Sequence, residues 1–336
     1  MKVFFKLRPT LVIIFFMNWG IIGTGNIASK FAKTINQMNN EGERVIAVAS
    51  RSQDKAESFA REYSINKAYS SYSDLFSDDD IEIVYIATPN NLHKKEIEEA
   101  LLNSKHVLCE KPITLKPEDT ISLYSLAKSK NLFLMEGLWT YFLPGAKELN
   151  RLISQGAIGK IKSVKLAYGF APQGERRERK LLSKLGGGAL LDIGIYNLGL
   201  ISTLGLKDLS ISSTRVKLNE YNTDSYSETK LIAANGALIT SINAIDQEYE
   251  RVCTIIGDKG KIVIPDFQHL TSFTVNDKDY SFPVEINGFE YEIRECRACI
   301  SEGKTHSDIY SPDISIYLSQ LIYRIRMLWN MKFDCE

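Results

Sequence analysis

A short glycine-rich segment constrains the fold of this chain more than any other feature. The segment is Gly23-Thr24-Gly25-Asn26-Ile27-Ala28, and it follows an apolar strand predicted at residues 19–22. Gly23 permits a tight turn, Gly25 lets a pyrophosphate approach the backbone, and Ala28 lets the next helix pack closely on a sheet. Because a helix predicted at 27–36 and a strand at 44–50 come next, the pattern predicts a dinucleotide-binding βαβ unit with phosphate at the helix N-terminus.

The alternation of short apolar runs and amphipathic stretches continues to about residue 133. Further strands are predicted at 81–87 and 106–109, and further helices at 53–63 and 93–103. Strands that alternate with helices form parallel sheets covered on both faces. We therefore predict an α/β Rossmann domain, a doubly wound parallel sheet, over residues 17–138.

The pattern changes after about residue 140. A helix is predicted at 147–154, a strand at 161–170 and a glycine-led helix at 186–204. Five strand-like segments follow, separated by turn signals such as Asn235-Gly236. They lie at residues 210–218, 225–234, 237–245, 251–257 and 261–264. This predicts an antiparallel meander within an α+β domain with a large, mostly antiparallel sheet. We expect this domain, residues 139–336, to bind substrate and to oligomerise, and its last helix, near 312–329, to pack back on the Rossmann domain.

The N-terminal segment is predicted to lie outside the fold. Lys2, Lys6 and Arg8 precede a short apolar run that ends at Met17, as in the charged and apolar regions of a signal peptide. The run is much shorter than the roughly 20 residues of a membrane helix, and no small-residue cleavage site follows it. We predict that Met17 is the biological start and that residues 1–16 are a non-structural extension.

Composition bears on the partners, the compartment and the metal content of the protein. The 336 residues contain 41 Lys plus Arg and 41 Asp plus Glu, so net charge gives no reason to expect nucleic acid or a membrane as partner. Five irregularly spaced cysteines favour a reducing compartment, and hence the cytoplasm. Cys296 and Cys299 have a metal-like spacing but lack further ligands. We therefore predict no metal site.

The end of the second predicted strand bears on cofactor choice. An acidic residue there usually binds the ribose hydroxyls of NAD, whereas an Arg accommodates the 2′-phosphate of NADP. Ser50 and Arg51 occupy this position, and the first acid is Asp54. A guanidinium and hydroxyls can bind a phosphate that a carboxylate would repel. The sequence therefore predicts NADP, with NAD as the alternative.

Three residues have the chemistry of a hydride-transfer site. Asp192 and Tyr196 are four apart and share one face of the predicted helix. Lys111 ends a predicted Rossmann strand, where such folds bind ligands. A cation beside Tyr196 would bring its pKa from about 10 toward the working range. The phenol would then donate or accept the proton, and Asp192 would pair with Lys111 or fix substrate hydroxyls.

Four segments together resemble the Gfo/Idh/MocA oxidoreductase family. They are the nucleotide loop, the stretch from Ala87 through Thr88-Pro89-Asn90 to His93, the segment Cys109-Glu110-Lys111-Pro112 and the run from Gly186 to Tyr196. The resemblance is greatest to the subgroup of dimeric dihydrodiol dehydrogenase, glucose–fructose oxidoreductase and xylose dehydrogenases, in which Tyr replaces the His of inositol dehydrogenases.

The resemblance carries expectations for individual residues. It implies catalytic roles for Lys111, Asp192 and Tyr196, and a place beside the cofactor for residues 88–90 and for Glu110. For His93, cofactor contact and a purely structural connection remain equal alternatives. The segment 136–142 resembles the family's E-A-x-W-x-R-F stretch, which predicts that Trp139 and Tyr141 line the substrate pocket with Asp192 and Tyr196.

These features predict an NADP-dependent oxidoreductase. The reaction is hydride transfer between nicotinamide and a carbinol or carbonyl carbon of a sugar, polyol or trans-dihydrodiol. We expect a small polyhydroxylated substrate and a homodimer or higher homo-oligomer. A non-catalytic nucleotide sensor of the same fold is the alternative, and glycoside cleavage within the fold is a third. The presence of Lys111, Asp192 and Tyr196 favours the enzyme.

Overall fold

A computed structural model describes residues 16–335 of the chain. Its first sheet has six parallel strands in the order β3-β2-β1-β4-β5-β6. Their bounds are β1 Met17–Ile22, β2 Glu43–Ala49, β3 Lys67–Tyr69, β4 Ile83–Ile86, β5 His106–Glu110 and β6 Leu134–Gly137. The predicted extension lies outside the described residues except for Phe16, so it stays a prediction.

Helices follow the strands of this sheet and cover both of its faces. They are α1 Asn26–Gln37, α2 Gln53–Tyr63, α3 Tyr72–Phe76, α4 His93–Leu102 and α5 Pro117–Ser129. Strand β4 is buried along its whole length, as expected for a central parallel strand. The strand order reverses between β1 and β4, which opens a crevice at the carboxyl ends of the strands. The predicted doubly wound Rossmann fold is confirmed.

The second sheet is large and mostly antiparallel, as predicted. Its order is β14-β13-β12-β11-β7-β10-β9-β8. Its strands are β7 Ile161–Gly169, β8 Ser210–Leu218, β9 Asp224–Ile232, β10 Leu238–Ala244, β11 Cys253–Gly257, β12 Lys261–Ile264, β13 Ser272–Val275 and β14 Lys278–Ser281. The predicted simple meander is wrong in one respect, because β7 inserts between β10 and β11 and runs parallel to β10.

Further helices belong to the second half of the chain. They are α6 Pro144–Ser154, α7 Gly174–Leu181, α8 Ile195–Thr203, α9 Phe289–Ser301 and α10 Pro312–Leu328. Helix α8 contacts strand β7 of this sheet, and α10 contacts strand β8. Helix α10 also contacts α5 of the Rossmann domain, where the Thr120 hydroxyl donates to Ser319 Oγ over 3.4 Å. Within residues 16–335, one helical stretch, Ser183–Thr203, has the length and apolarity of a membrane span, and 83% of its apolar window is buried inside the protein.

The predicted glycine-led helix begins later than expected. Gly186 and Gly188 have φ values of 72° and 120°, which are incompatible with a right-handed helix. The helical path begins with a π-helical turn at Leu190–Gly194 and continues as α8. The buried Asp224 carboxylate accepts the Leu190 amide over 2.8 Å, and a Cβ at Gly188 would lie 2.3 Å from Asp224 Oδ1. The glycines therefore form the turn that sets where this helix starts.

We expect Gly188→Ala to destabilise the protein more than Gly156→Ala. Both positions have positive φ, but a Cβ at Gly156 meets nothing within 4 Å, so only Gly188→Ala adds a collision with Asp224. A left-handed backbone costs a residue with a side chain about 1 kcal/mol or more, and the collision at Gly188 should add about 1–3 kcal/mol. Thermal and urea unfolding of both variants measure the difference. Equal loss of stability would contradict the role assigned to Asp224.

Candidate active site

The glycine-rich loop leads from β1 into α1 at the crevice. Gly23 has φ 98°, and a Cβ there would lie 2.6 Å from the Ala87 carbonyl oxygen, so the turn requires glycine. Gly25 precedes α1 in extended conformation, and no side chain among the described residues caps the helix. The first amides of α1 are therefore available to an anion. Thr24 lies in this loop and Asn26 begins α1. Ile27 is partly buried, and Ala28 is fully buried against the core.

The end of β2 carries the predicted cofactor-selecting residues. Ser50 is buried, and its Oγ accepts the Ser52 amide over 3.4 Å. Arg51 is exposed. Burial raises the pKa of both Tyr72 and Glu96, and the nearby Arg51 guanidinium has a smaller effect in the opposite direction. Burial brings the pKa of Glu96 to about 7. Neither Tyr72 nor Glu96 was anticipated from the sequence, because both come from other elements.

The loop after β4 makes contacts that its sequence did not reveal. The Thr88 hydroxyl donates to Glu96 Oε2. Asn90 donates its side-chain amide to the Gly186 carbonyl over 2.8 Å, which ties the loop to the glycine run of the second domain. Pro89 is half-buried between them. Thr88, Pro89 and Asn90 therefore lie at the carboxyl end of β4, and their contact with a cofactor stays a prediction.

His93 has a structural environment. Its ring is fully buried, and the two ring nitrogens lie 2.8 Å from the Pro112 carbonyl oxygen and 3.0 Å from that of Thr88. Burial lowers the pKa of His93. Both ring nitrogens therefore face backbone carbonyls, which favours the connecting role, and contact of His93 with the cofactor stays a prediction.

Lys111, Asp192 and Tyr196 come together across the two domains. Lys111 follows β5, and its ammonium donates to the Asp192 carbonyl over 2.5 Å and lies 3.6 Å from Asp192 Oδ1. The same ammonium lies 4.8 Å from the centre of the Tyr196 ring. The π-helical turn and α8 present Asp192 and Tyr196 on one side, as their spacing predicted. The Lys111–Pro112 peptide bond is cis.

The electrostatics of this cluster differ from expectation in one respect. Burial raises the pKa of Tyr196 to about 12, although Lys111 acts in the lowering direction. Burial alone would lower the pKa of Lys111. The combined effect of Tyr196, Asp192 and Glu110 is larger, so its pKa is raised. Burial likewise opposes the charge of Asp192, but Lys180 and Lys111 hold its pKa below the ordinary value. At neutral pH the site therefore holds a protonated phenol, a carboxylate and ammonium groups.

Sequence reasoning missed Lys180. The segment between β7 and the glycine run forms α7, and Lys180 Nζ lies 2.5 Å from Asp192 Oδ2. The neighbouring Arg179 reaches the nucleotide loop, with Nη1 3.8 Å from the position of a Cβ on Gly25. Both residues belong to an Arg- and Lys-rich run whose charges would ordinarily face solvent, so no local pattern separates them from the rest.

The two aromatic residues predicted to line the pocket have different environments. Trp139 is nearly buried, and its indole N–H donates to the Tyr196 hydroxyl over 3.3 Å, which places it beside the candidate acid. Tyr141 instead packs edge-on against Tyr310, with ring centres 4.8 Å apart. Its ring packs against the core beside α8, and its place in the substrate pocket stays a prediction.

Buried polar contacts hold the candidate residues in place from behind. Asn197, the residue after Tyr196, is fully buried and donates to Asn243 Oδ1 over 2.7 Å and to the Ser241 hydroxyl over 3.0 Å. Beneath Lys111, Glu110 accepts a hydrogen bond from the Tyr85 hydroxyl and is nearly buried, so it lies under the site. Glu136 accepts the Ile113 amide over 2.9 Å and fixes the segment after Pro112.

The Rossmann crevice has an uncapped helix N-terminus and Lys111 at its edge, and the second domain adds a tyrosine and a carboxylate. This combination defines a two-domain nicotinamide-dependent oxidoreductase. Residues 17–138 match the profile described as "Oxidoreductase family, NAD-binding Rossmann fold", and residues 146–263 match the GFO/IDH/MocA C-terminal domain. The chain belongs to the Gfo/Idh/MocA oxidoreductase family. The predicted family and the predicted NAD(P)-dependent oxidoreductase class are confirmed.

Relatives with similar sequences are dihydrodiol dehydrogenases. The chain is 33% identical over 328 residues to trans-1,2-dihydrobenzene-1,2-diol dehydrogenase of Danio rerio, covering 92% of this chain and 96% of the relative. It is 28% identical over 328 residues to the Mus musculus enzyme of the same name, covering 94% and 98%. These relatives match the subgroup that the sequence motifs indicated.

Solved structures share the fold at lower identity. A 3-ketoreductase from Actinomadura kijaniata, in complex with NADP and TDP-benzene, has a TM-score of 0.84 at 23% identity and covers 93% of this chain and 97% of its own. An aldose–aldose oxidoreductase from Caulobacter crescentus, complexed with glycerol, has a TM-score of 0.82 at 23% identity and covers 94% and 98%. Both likenesses concern the two-domain fold.

Proposed function

We propose that this chain is an NADP-dependent oxidoreductase that transfers hydride between the nicotinamide and a carbinol or carbonyl carbon of a sugar, polyol or trans-dihydrodiol. The observation that carries the proposal is the meeting of Lys111, Asp192 and Tyr196 at the carboxyl ends of the Rossmann strands. The dihydrodiol dehydrogenase relatives support a dehydrogenase over a non-catalytic sensor. The four buried free cysteines are consistent with a cytoplasmic enzyme.

The nucleotide loop fits a dinucleotide. Gly25 has no side chain where the backbone must approach a pyrophosphate, and the uncapped amides of α1 supply donors. Ser50 and Arg51 would bind the adenosine ribose and its phosphate, with residues 88–90 beside them. The cofactor, when bound, supplies or accepts the hydride.

Tyr196 transfers the proton. In carbonyl reduction its phenol donates a proton to the developing alkoxide, and in alcohol oxidation the phenolate accepts one. Lys111 stabilises the phenolate because its ammonium lies over the ring. Asp192 anchors Lys111 through its backbone carbonyl and carboxylate, which fixes the ammonium at the strand end. Trp139 orients the hydroxyl by its indole N–H.

We expect Tyr196→Phe to lower turnover by roughly 10²–10⁴-fold, the range of general acid–base catalysis, with nearly unchanged NADPH affinity. Because burial raises the pKa of Tyr196 to about 12, the wild-type phenol is protonated at neutral pH. Reduction should then depend little on pH between about 6 and 9, whereas oxidation should accelerate as pH rises. The test measures steady-state rates of the wild type and the variant in both directions across this pH range, and NADPH affinity by fluorescence titration.

Lys111 is the other candidate for the proton donor. If Lys111 moved the proton, directly or through water, Tyr196→Phe would retain most activity and the pH profiles would keep their shape. That pair of results would overturn the assignment of Tyr196 and leave the oxidoreductase function standing.

We expect Arg51→Ala to weaken NADP binding more than NAD binding. A charge-assisted hydrogen bond from Arg51 to the 2′-phosphate contributes about 1.5–3 kcal/mol, and NAD lacks that phosphate. Arg61, which is exposed on α2 and pairs with Glu57, provides a matched control as Arg61→Ala. Calorimetry measures the affinities of both variants for NADP and NAD. Equal losses of NADP and NAD affinity in Arg51→Ala would contradict the predicted preference for NADP.

Homo-oligomerisation through the open face of the second sheet is also proposed. Leu238 and Ile256 are 59% and 47% exposed, and both lie opposite Ser163 of β7 in the strand register. They therefore form neighbouring apolar sites on one face, typical of a surface that is covered in an assembly. Light scattering should give a dimer or larger species at micromolar concentration, and Ile256→Glu should dissociate it. A monomeric wild type would refute the proposal.

A further inference from the structure

Lys180 gives the site a second ammonium group that the proposed proton transfer does not use. Its Nζ lies 2.5 Å from Asp192 Oδ2, while the Lys111 ammonium lies 3.6 Å from Asp192 Oδ1. One carboxylate thus lies between two cations. Lys111 is the cation that acts to lower the pKa of Tyr196.

The charge around Lys180 is unbalanced. Burial lowers the pKa of Lys180, and the nearby charged groups are its counter-ion Asp192 and the cations Lys111 and Arg179. The side chain of Lys180 is 20% exposed and that of Lys111 is 10% exposed, so water screens them poorly. Lys180 therefore shares its counter-ion, Asp192, with Lys111, and an incoming anion would balance the second ammonium group.

Lys180 also lies beside a row of aromatic rings that leads to Tyr196. Its ammonium lies 5.2 Å from the centre of the Phe170 ring. Phe170 packs against Tyr168 at 6.1 Å, and Tyr168 packs against Tyr196 at 6.4 Å between ring centres. A substrate whose reacting carbon lies at Tyr196 would therefore extend along these rings toward Lys180.

We propose that Lys180 binds an oxyanion of the substrate, a carboxylate or a phosphate, so that the preferred substrate is an acidic polyhydroxylated molecule rather than a neutral sugar or diol. The proposal rests on the proposed function, because it takes the reacting carbon to lie at Tyr196. It adds a specificity-determining residue that is separate from the group that moves the proton.

The test compares matched neutral and acidic probes on the full chain with bound NADP. D-glucose, D-glucuronate and D-glucose 6-phosphate differ in the anionic group, so the two acids distinguish carboxylate from phosphate. Binding is measured by calorimetry, and hydride transfer by nicotinamide absorbance. At least one acid should bind about 10-fold or more tightly than glucose, as expected for a charge-assisted contact.

Variants of the two lysines of this segment provide the control. Lys180→Met should bring the acid-to-neutral ratio close to one, and Lys180→Arg should restore most of it. Lys184→Met should keep the wild-type ratio, because Lys184 is exposed in the same segment. Thermal unfolding checks that each variant is folded.

Four results would overturn the proposal. They are equal binding of acid and glucose by the wild type, binding of neither acid, an unchanged ratio in Lys180→Met, or a loss of NADP affinity in that variant with the ratio intact. Hydride transfer to a trans-dihydrodiol without any preference for acids would leave the proposed function standing. Absence of hydride transfer with every substrate would instead overturn the proposed function, while the binding data would still decide the role of Lys180.

Discussion

The contact between Lys111 and Asp192 is the interaction on which the site depends. Lys111 comes from the end of a Rossmann strand and Asp192 from the π-helical turn of the second domain, so this contact fixes the two halves of the site relative to each other. It has two parts, a 2.5 Å hydrogen bond to the Asp192 carbonyl and an approach of 3.6 Å to its carboxylate. Because the backbone carbonyl takes part, the position of the turn is as important as the charge of the side chain.

The position of that turn is set by buried polar groups rather than by helix propensity. Asp224 accepts the Leu190 amide where the helical path begins, and Asn197 ties the first turn of α8 to β10. A buried polar group that loses its partner costs free energy, so the hydrogen bonds of Asp224 to Leu190 and of Asn197 to Asn243 favour this arrangement over its alternatives. The second sheet therefore acts as a rigid support that presents Asp192 and Tyr196 to the Rossmann crevice.

Local patterns predicted a large part of this structure, and long-range contacts account for the rest. The glycine loop, the strand–helix alternation and the spacing of Asp192 and Tyr196 are local features, and each has the structural context it predicted. The insertion of β7 between β10 and β11 could not be predicted, because strand order depends on distant pairing. The same holds for His93 and Tyr141, whose environments come from Pro112 and Tyr310, far away in the chain.

The pKa of Tyr196 illustrates the same limit in energetic form. The sequence placed a cation near the phenol and predicted a lower pKa, but it contained no measure of burial. In the structure, burial outweighs the cation, so the phenol is protonated at neutral pH and is ready to act as a donor. Proximity of charges can be predicted from motifs, whereas the dielectric environment follows only from the packed fold.

The arrangement of one carboxylate between two lysines also determines how substitutions at the site must be interpreted. Removal of the Asp192 charge would leave two poorly solvated ammonium groups facing each other, a cost that is unrelated to any catalytic step. A loss of activity on substitution of Asp192 would therefore combine repulsion, displacement of Lys111 and any direct contact with substrate. Removal of the Lys180 charge leaves Asp192 paired with Lys111, so the remaining site keeps its charge balance. A substitution of Lys180 should therefore report on substrate recognition with little disturbance of the Lys111–Asp192 contact.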